Sequence, residues 1–501
     1  MINTKGRARR PLQRSQLTRS PSGRAMFSHS VPQSVNYSQP TSQNAALYEY
    51  EKKTKERFDR IEFVLREISA MQHDRDFIVA AQSMAKAELG ITLPEKFLED
   101  SWIKSPDIVQ LYAWCVFETF KQVSDEFYRQ QPLVLEDEQA FQQFLQSCGF
   151  HTLDVSPCAD GRLAHVISYV LRLPYKAVRR KSYAGALFDV EDSLQKWIEI
   201  EMLRHREGRP NTATDATRYL KVAVYHFSSV KPDQEGCAAH GSNVERAAEA
   251  AKEKLQAFRQ GVENSFCCGA SIDLLLIGLD TDTDSIRIHI PDENGNMEVN
   301  CYIDTLHLYS ESNARAFASD EHEVENIIQS FIEKNLDTSP QEGMIRLIAR
   351  IIRGNFQQVE YVKRYHQGNY TDIGHQERFI GMGIGFEEIQ LRNLTYFSYL
   401  KTVEEGANDL DVGIKIFSGL NVRRGLPVPV VIRYDYHGEV PGARERAETR
   451  CLNLERALRL RYKELSDSGY IHTLLMVRDC SSDIEAEVIG CSVSISSEEA
   501  H

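Results

Sequence analysis

The amino-acid sequence predicts a mixed α/β protein in which a helical N-terminal domain precedes two related α/β domains. Apolar residues at helical spacing mark residues 47–135, where Phe58, Ile61, Leu65 and Ile68 recur every three or four positions among Lys, Arg and Glu. Beyond residue 136, short apolar runs alternate with Ala/Glu/Lys/Arg-rich stretches, the texture of strand–helix–strand units. One such unit recurs near the C-terminus. The chain therefore divides into a basic tail (1–46), a helical domain (47–135), a domain carrying the chemistry (136–380) and a degenerate copy of it (381–501).

The tail is rich in Ser, Gln, Pro and Arg and lacks periodicity, so it is expected to be disordered. Residues 1–48 hold seven Lys/Arg and no Asp/Glu. The net charge of −13 thus splits into about +7 here and about −20 elsewhere. An acidic body excludes nucleic acid as a partner of the folded part. A cationic arm serves as a tether to an acidic partner. The competing reading is an Arg-rich, Ser-rich transit peptide, against which Pro11, Pro21, Pro32 and Pro40 argue. No run approaches the roughly 20 apolar residues of a membrane span, and no secretory signal pattern is present. Ten cysteines in 501 residues are too sparse for a disulfide scaffold and point to a reduced, intracellular setting.

In the helical domain, Phe77–Leu89 and Ile108–Phe127 continue the helical pattern. The third domain opens its crossover unit with a buried strand at Leu220–Tyr225, follows with a helix over about Asn243–Val262, and closes it with a strand at Ile272–Leu279. The C-terminal copy repeats it with Val428–Tyr434, a helix from Arg444 to about Leu465, and Ile471–Val477. The closing strands align without gaps: Ile272, Leu275, Leu276, Asp280 and Asp284 face Ile471, Leu474, Leu475, Asp479 and Asp483. Leu153-Asp154-Val155 is matched to Leu410-Asp411-Val412 as the start of each copy. The second copy has no Cys-x-Asp-x-Arg after Val412, so on this reading one copy keeps a metal site that the other has lost.

The chemistry centres on Ser156-Pro157-Cys158-Ala159-Asp160-Gly161-Arg162. Cys158 is a soft ligand suited to Zn²⁺, and in an extended stretch Asp160 and Arg162 point the same way. Arg162 can hold the Asp160 carboxylate bidentately, ionised and away from the metal. Partners for Cys158 are open at this point. Cys237-x-x-His240 has attractive ligand spacing, whereas His226 ends a central strand, where ligands of open α/β sheets collect.

Cys158-x-Asp160-x-Arg162, followed much later by strand, histidine, loop, cysteine and helix, resembles the zinc site of β-class carbonic anhydrases. Longer stretches resemble the divergent, ε-class carboxysome shell carbonic anhydrases: SPCADGRL (156–163), TRYLKVAVYHFS (217–228), CAAHGSN (237–243), CCGASIDLLLIGLDTDTD (267–284), DIGHQERF (372–379) and RGLPVPVVIRY (424–434). The resemblance implies one Zn²⁺ per chain held by Cys158, His226 and Cys237, with Asp160 and Arg162 as the catalytic pair. It also implies a β-carbonic-anhydrase-like fold whose C-terminal duplicate lacks zinc, matching the repeat. The gap from His226 to Cys237 exceeds that of ordinary β-class enzymes, and the shell branch shares it.

Metal binding lowers the pKa of water from 15.7 toward roughly 7, and an ionised Asp160 can orient the resulting nucleophile toward CO₂. The implied function is reversible hydration of CO₂ to bicarbonate inside a carboxysome, supplying CO₂ to Rubisco. The tail would bind Rubisco or shell proteins, and a homo-oligomer, dimeric or higher, is expected. A catalytically silent, zinc-stabilised shell component is the alternative, with His240 or Cys267 closing the coordination sphere. His375 could relay protons, but nothing in the sequence singles it out. Two patterns are set aside. Asp280-x-Asp282-x-Asp284 lacks the glycine and bidentate glutamate of a Ca²⁺ loop, and Gly381-x-Gly383-x-Gly385 lacks dinucleotide-fingerprint spacing.

Overall fold

The computed structural model describes residues 40–99, 105–130, 137–209, 218–265, 271–311, 321–386, 388–400, 402–403, 406–482 and 485–493. Residues 1–39 of the expected tail and the pair Cys267-Cys268 lie outside these residues, whereas residues 40–46, expected to be the disordered end of the tail, instead open α1 and bury Asn44. Among the described residues, no helix is long and apolar enough to cross a membrane.

The helical segment comprises α1 (Pro40–Ala70), α2 (Phe77–Leu89), α3 (Lys96–Glu99) and α4 (Ile108–Gln130). Gly90 stops α2 by adopting a left-handed φ of 69°, from which its N–H returns to Lys86 O. Length alone suggests that each domain has its own core, but α1 and α4 share theirs with the C-terminal sheet. Phe58 and Phe120 lie 5.8 and 5.3 Å from Phe379, ring centre to ring centre, and Phe120 lies 6.0 Å from Phe386. The apolar stripes of two helices thus cover one face of a sheet that would otherwise be wet.

After α5 (Glu138–Ser147), capped by Asp137 Oδ1 accepting from Ala140 N, the first sheet begins. Its elements are β1 (Thr152–Pro157), β2 (Arg179–Arg180), α6 (Val190–Arg206), β3 (Arg218–Phe227), α7 (Val244–Ser265), β4 (Ser271–Asp280), β5 (Ile286–His289) and β6 (Ile303–Asp304). The strand order is β2-β1-β3-β4-β5-β6. β1 to β4 run parallel and β5 antiparallel. Among the described residues, α8 (Thr305–Glu311), α9 (Glu321–Asn335) and the long α10 (Glu342–Tyr365) follow. The mostly apolar run of β3 is explained by burial on both faces, and its one interior lysine, Lys221, is buried against Asp154 (3.0 Å).

The second sheet comprises β7 (Phe379–Ile384), β8 (Thr395–Ser398), α11 (Ala407–Leu420), β9 (Val428–Tyr436), α12 (Ala443–Arg461), α13 (Lys463–Asp467), β10 (Ile471–Asp479) and β11 (Glu487–Cys491). Its order, β8-β7-β9-β10-β11, and its strand directions repeat those of β2-β1-β3-β4-β5. The duplication is therefore real at the level of topology, and β4 and β10 correspond as the sequence aligned them.

The matched starts of the two copies do not correspond. Leu153-Asp154-Val155 lies in β1, but Leu410-Asp411-Val412 lies in α11. The counterpart of β1 is β7, whose glycines disguised it. Gly383 is needed because the Arg433 carbonyl oxygen occupies the space that a Cβ would take. Register then assigns equivalents. Tyr219 faces Ile272 as Val428 faces Ile471, so His226 corresponds to Asp435. Asp154 faces Lys221 as Ile380 faces Val430, so Cys158 corresponds to Ile384. Neither equivalent in the second copy is a zinc donor of the first copy's kind. Instead Asp435 pairs with the buried Arg433 (2.8 Å), which also engages Glu388 and, from α4, Tyr128.

Candidate metal centre

Adjacent parallel strands deliver their C-terminal ends to the same edge of a sheet, and β1 and β3 do so here. Cys158 directly follows β1, anchored by its N–H to Val224 O (3.1 Å) and by a bridge to Tyr183. His226 lies near the end of β3. Cys237, in the loop before α7, caps the turn Ala238–His240. Their donor atoms, two sulfurs and an imidazole nitrogen, all lie within 4.8 Å of one another, and all three residues are buried.

Among the described residues neither ring nitrogen of His226 has a partner in good hydrogen-bond geometry, although Nε2 lies 3.3 Å from Asp160 Oδ2. Buried polar atoms are rarely left in that state. An unpartnered imidazole beside two cysteine sulfurs is the donor set of a soft divalent cation, and zinc fits it. A hydrogen bond shared with Cys237, together with burial, pushes the Cys158 thiol up. The same bond, with the amides of Ala239 and His240, pulls Cys237 down against its burial. Burial disfavours charge on His226, yet Cys158 and Asp160 outweigh it and bring the imidazole to about 9.

The extended conformation expected through Arg162 ends at Asp160. Gly161–Leu163 form a 3₁₀ turn capped by the Asp160 side chain. The pair forms nonetheless, because the turn folds Arg162 back. Asp160 Oδ1 accepts from Arg162 N and Nε (both 2.9 Å), and Oδ2 accepts from Nη2 (2.7 Å). Arg162 Nη1 donates to the carbonyls of Glu235 (2.5 Å) and Ile373 (3.0 Å). Burial alone would raise the Asp160 carboxyl, but Arg162, His375 and His226 hold it well below the usual carboxylate range.

Two residues left out of the sequence-predicted site lie beside it. His375 Nε2 is 3.8 Å from Asp160 Oδ2, and its Nδ1 is 3.0 Å from Glu377 Oε1, which also accepts from Gly161 N (3.1 Å). A side chain at 161 would collide with Glu377 at 2.5 Å, so glycine is required there. His375 is raised to about 9 because Asp160 and Glu377 outweigh burial, and its side chain is 20% exposed. The available signal was the segment DIGHQERF, which places His375 and Glu377 two residues apart. His240, favoured by spacing, instead turns Nε2 to Gly185 O (3.2 Å).

Comparison with known proteins bears on this geometry. Profiles of the carboxysome shell carbonic anhydrases match residues 39–128 (N-terminal), 140–375 (catalytic) and 376–493 (C-terminal). The carboxysome shell carbonic anhydrase of Prochlorococcus marinus strain MIT 9313 is 52% identical over 462 residues, covering 91% of this chain and 89% of that protein. The chain belongs to the carboxysome shell carbonic anhydrase family. The protein of that name from Parasynechococcus marenigrum strain WH8102 is 51% identical, covering 92% of this chain and 80% of the relative. The one from Halothiobacillus neapolitanus is 43% identical, with 88% of each chain covered. Membership carries carbonic anhydrase activity and a carboxysome location, and the silent structural alternative falls with it. The catalytic profile spans Cys158, Asp160, Arg162, His226 and Cys237, and the carboxylate-linked His375 closes it.

Proposed function

We propose that the enzyme interconverts CO₂ and bicarbonate at one zinc ion held by Cys158, His226 and Cys237, and that it supplies CO₂ to Rubisco within the carboxysome. The observation that carries the zinc reading is the convergence of two sulfurs and an unpartnered buried imidazole. When bound, zinc supplies a water-derived nucleophile at neutral pH. Cys158, His226 and Cys237 would hold it with three donors, one fewer than the four of a closed structural site.

The protein's own groups do the rest. Asp160, kept ionised by Arg162, accepts a hydrogen bond from the nucleophile and aims its lone pair at CO₂. Because Arg162 engages both carboxylate oxygens, Asp160 is withheld from the metal. His375 lies between the buried Asp160 and solvent and is the group placed to carry the released proton outward. Glu377 holds the far nitrogen of that imidazole and fixes its orientation. The basic tail tethers the enzyme to Rubisco or to shell proteins, and chains assemble as a homo-oligomer.

Zinc-edge absorption spectroscopy combined with stopped-flow CO₂ hydration tests the reading. Two sulfur and one nitrogen scatterers plus one light atom are expected, with activity tracking zinc content. An active enzyme without zinc, or a four-sulfur shell, would overturn it.

A further inference from the structure

The metal centre is backed by a loop of its own domain, one amide of which reaches a ligand atom, and the second copy holds that loop. The loop Ala184–Ala186 passes under Cys158, and Gly185 N donates to Cys158 Sγ at 3.2 Å. Gly185 takes φ 67° and Ala186 takes φ 59°, both left-handed, the latter disfavoured for a residue with a Cβ. A Cβ on Gly185 would lie 2.7 Å from His240 Nε2 and 3.0 Å from Ala239 Cβ, so only glycine lets the amide come so close.

Two side chains hold this strained loop. From the second copy, Asp409 in the first turn of α11 accepts from Ala184 N through Oδ1 (2.5 Å). Its own backbone carbonyl accepts from the Tyr396 hydroxyl (2.6 Å), which fixes that end of the helix to β8. From the other side His240 Nε2 meets Gly185 O at 3.2 Å. Both Asp409 and the Ala184–Ala186 loop are buried.

We infer that Asp409 and His240 are positioning residues that clamp the loop so that the Gly185 amide tunes the Cys158 sulfur as a metal ligand. An N–H···S bond draws charge from a thiolate, which leaves less to quench the electrophilicity of the cation it binds. Two anionic sulfurs around one zinc make such a withdrawal useful. The second copy, having lost its own donors, thereby contributes a residue to the surviving site. This inference rests on the three-ligand zinc reading above.

The test replaces zinc by Co²⁺ in the full-length enzyme and reads the sulfur-to-cobalt charge-transfer band, together with metal retention against a chelator. Loss of the clamp in Asp409→Ala should shift the band and speed metal loss by about 10-fold, the lower end for residues that orient ligands. Asp409→Asn keeps an acceptor oxygen for Ala184 N and should restore both readouts. His240→Ala should move the band the same way by less, and it decides the matter if Asp409→Ala does not fold. An unchanged band and unchanged retention in the folded variants overturn the clamp. Wild-type enzyme that takes up no metal with sulfur ligation overturns instead the zinc reading beneath it.

Discussion

Asp160→Asn separates catalysis from metal binding most cleanly. The substitution is nearly isosteric and spares all three donors. The amide that replaces the carboxylate retains an oxygen for Arg162 N and Nε, but its nitrogen would then face Arg162 Nη2, where Oδ2 now accepts at 2.7 Å. A fully buried guanidinium loses its counter-charge while keeping the carbonyls of Glu235 and Ile373. Breaking a buried pair from one side costs about 3–5 kcal/mol, and the surviving acceptors place this variant near the lower figure. That is a large part of a typical stability of about 5–15 kcal/mol, so thermal unfolding should come measurably earlier. Removing one preorganised group that orients the reacting atoms lowers kcat by about 10²–10³-fold. Stopped-flow hydration with a pH indicator, beside metal analysis of the same sample, reads both. Activity within about threefold of wild type at full metal occupancy would refute the role of Asp160, and loss of metal along with activity would refute its separation from the ligands.

Other expectations are as direct. Cys158 is raised and His226 stands at about 9 before metal binds, so at neutral pH both carry protons that the metal must displace. Zinc uptake by apo-enzyme at neutral pH should release protons, and affinity should fall as pH drops below about 9, where His226 takes up its proton; calorimetry in buffers of different ionisation enthalpy measures this. His375→Ala should lower kcat by about 10²-fold with little change in metal content, and small imidazole buffers should restore turnover. Deleting residues 1–39, which stops short of α1, should abolish packaging or Rubisco binding while leaving turnover intact, and a truncated enzyme that still packages refutes the tether.

The long buried strands were legible because an apolar run flanked by helical texture has few other readings: β3, β4, β9 and β10 all lie where the sequence puts them. The start of the second copy was not. Three residues, Leu-Asp-Val, suit a strand and one face of a helix equally, and α11 uses them as helix. Meanwhile β7 was hidden in a glycine-rich run dismissed as a failed fingerprint, whose Gly383 exists to let β9 come close. At the site, ligand spacing favoured His240, whereas topology favoured His226, and the sheet brings His226 to the two sulfurs. The turn at Gly161 was invisible because alternation in Cys-x-Asp-x-Arg mimics a strand; only the Asp160 side chain capping its own turn reveals the difference. His375 was considered as a proton relay but could not be singled out, and Glu377 was not named, because Asp160 is more than two hundred residues away in sequence.

The two copies are stitched together at the backbone as well as at Asp409. Ala159 and Gly161, which flank Asp160, give their carbonyls to the amides of Phe397 (3.4 Å) and Asn393 (2.8 Å). The reactive half is consequently not a portable cassette. Trimming the polypeptide after residue 375 to obtain a minimal catalyst would strip two amide donors from the turn that shapes the acid–base pair. The half that has no metal of its own has become the mould in which the other half is cast.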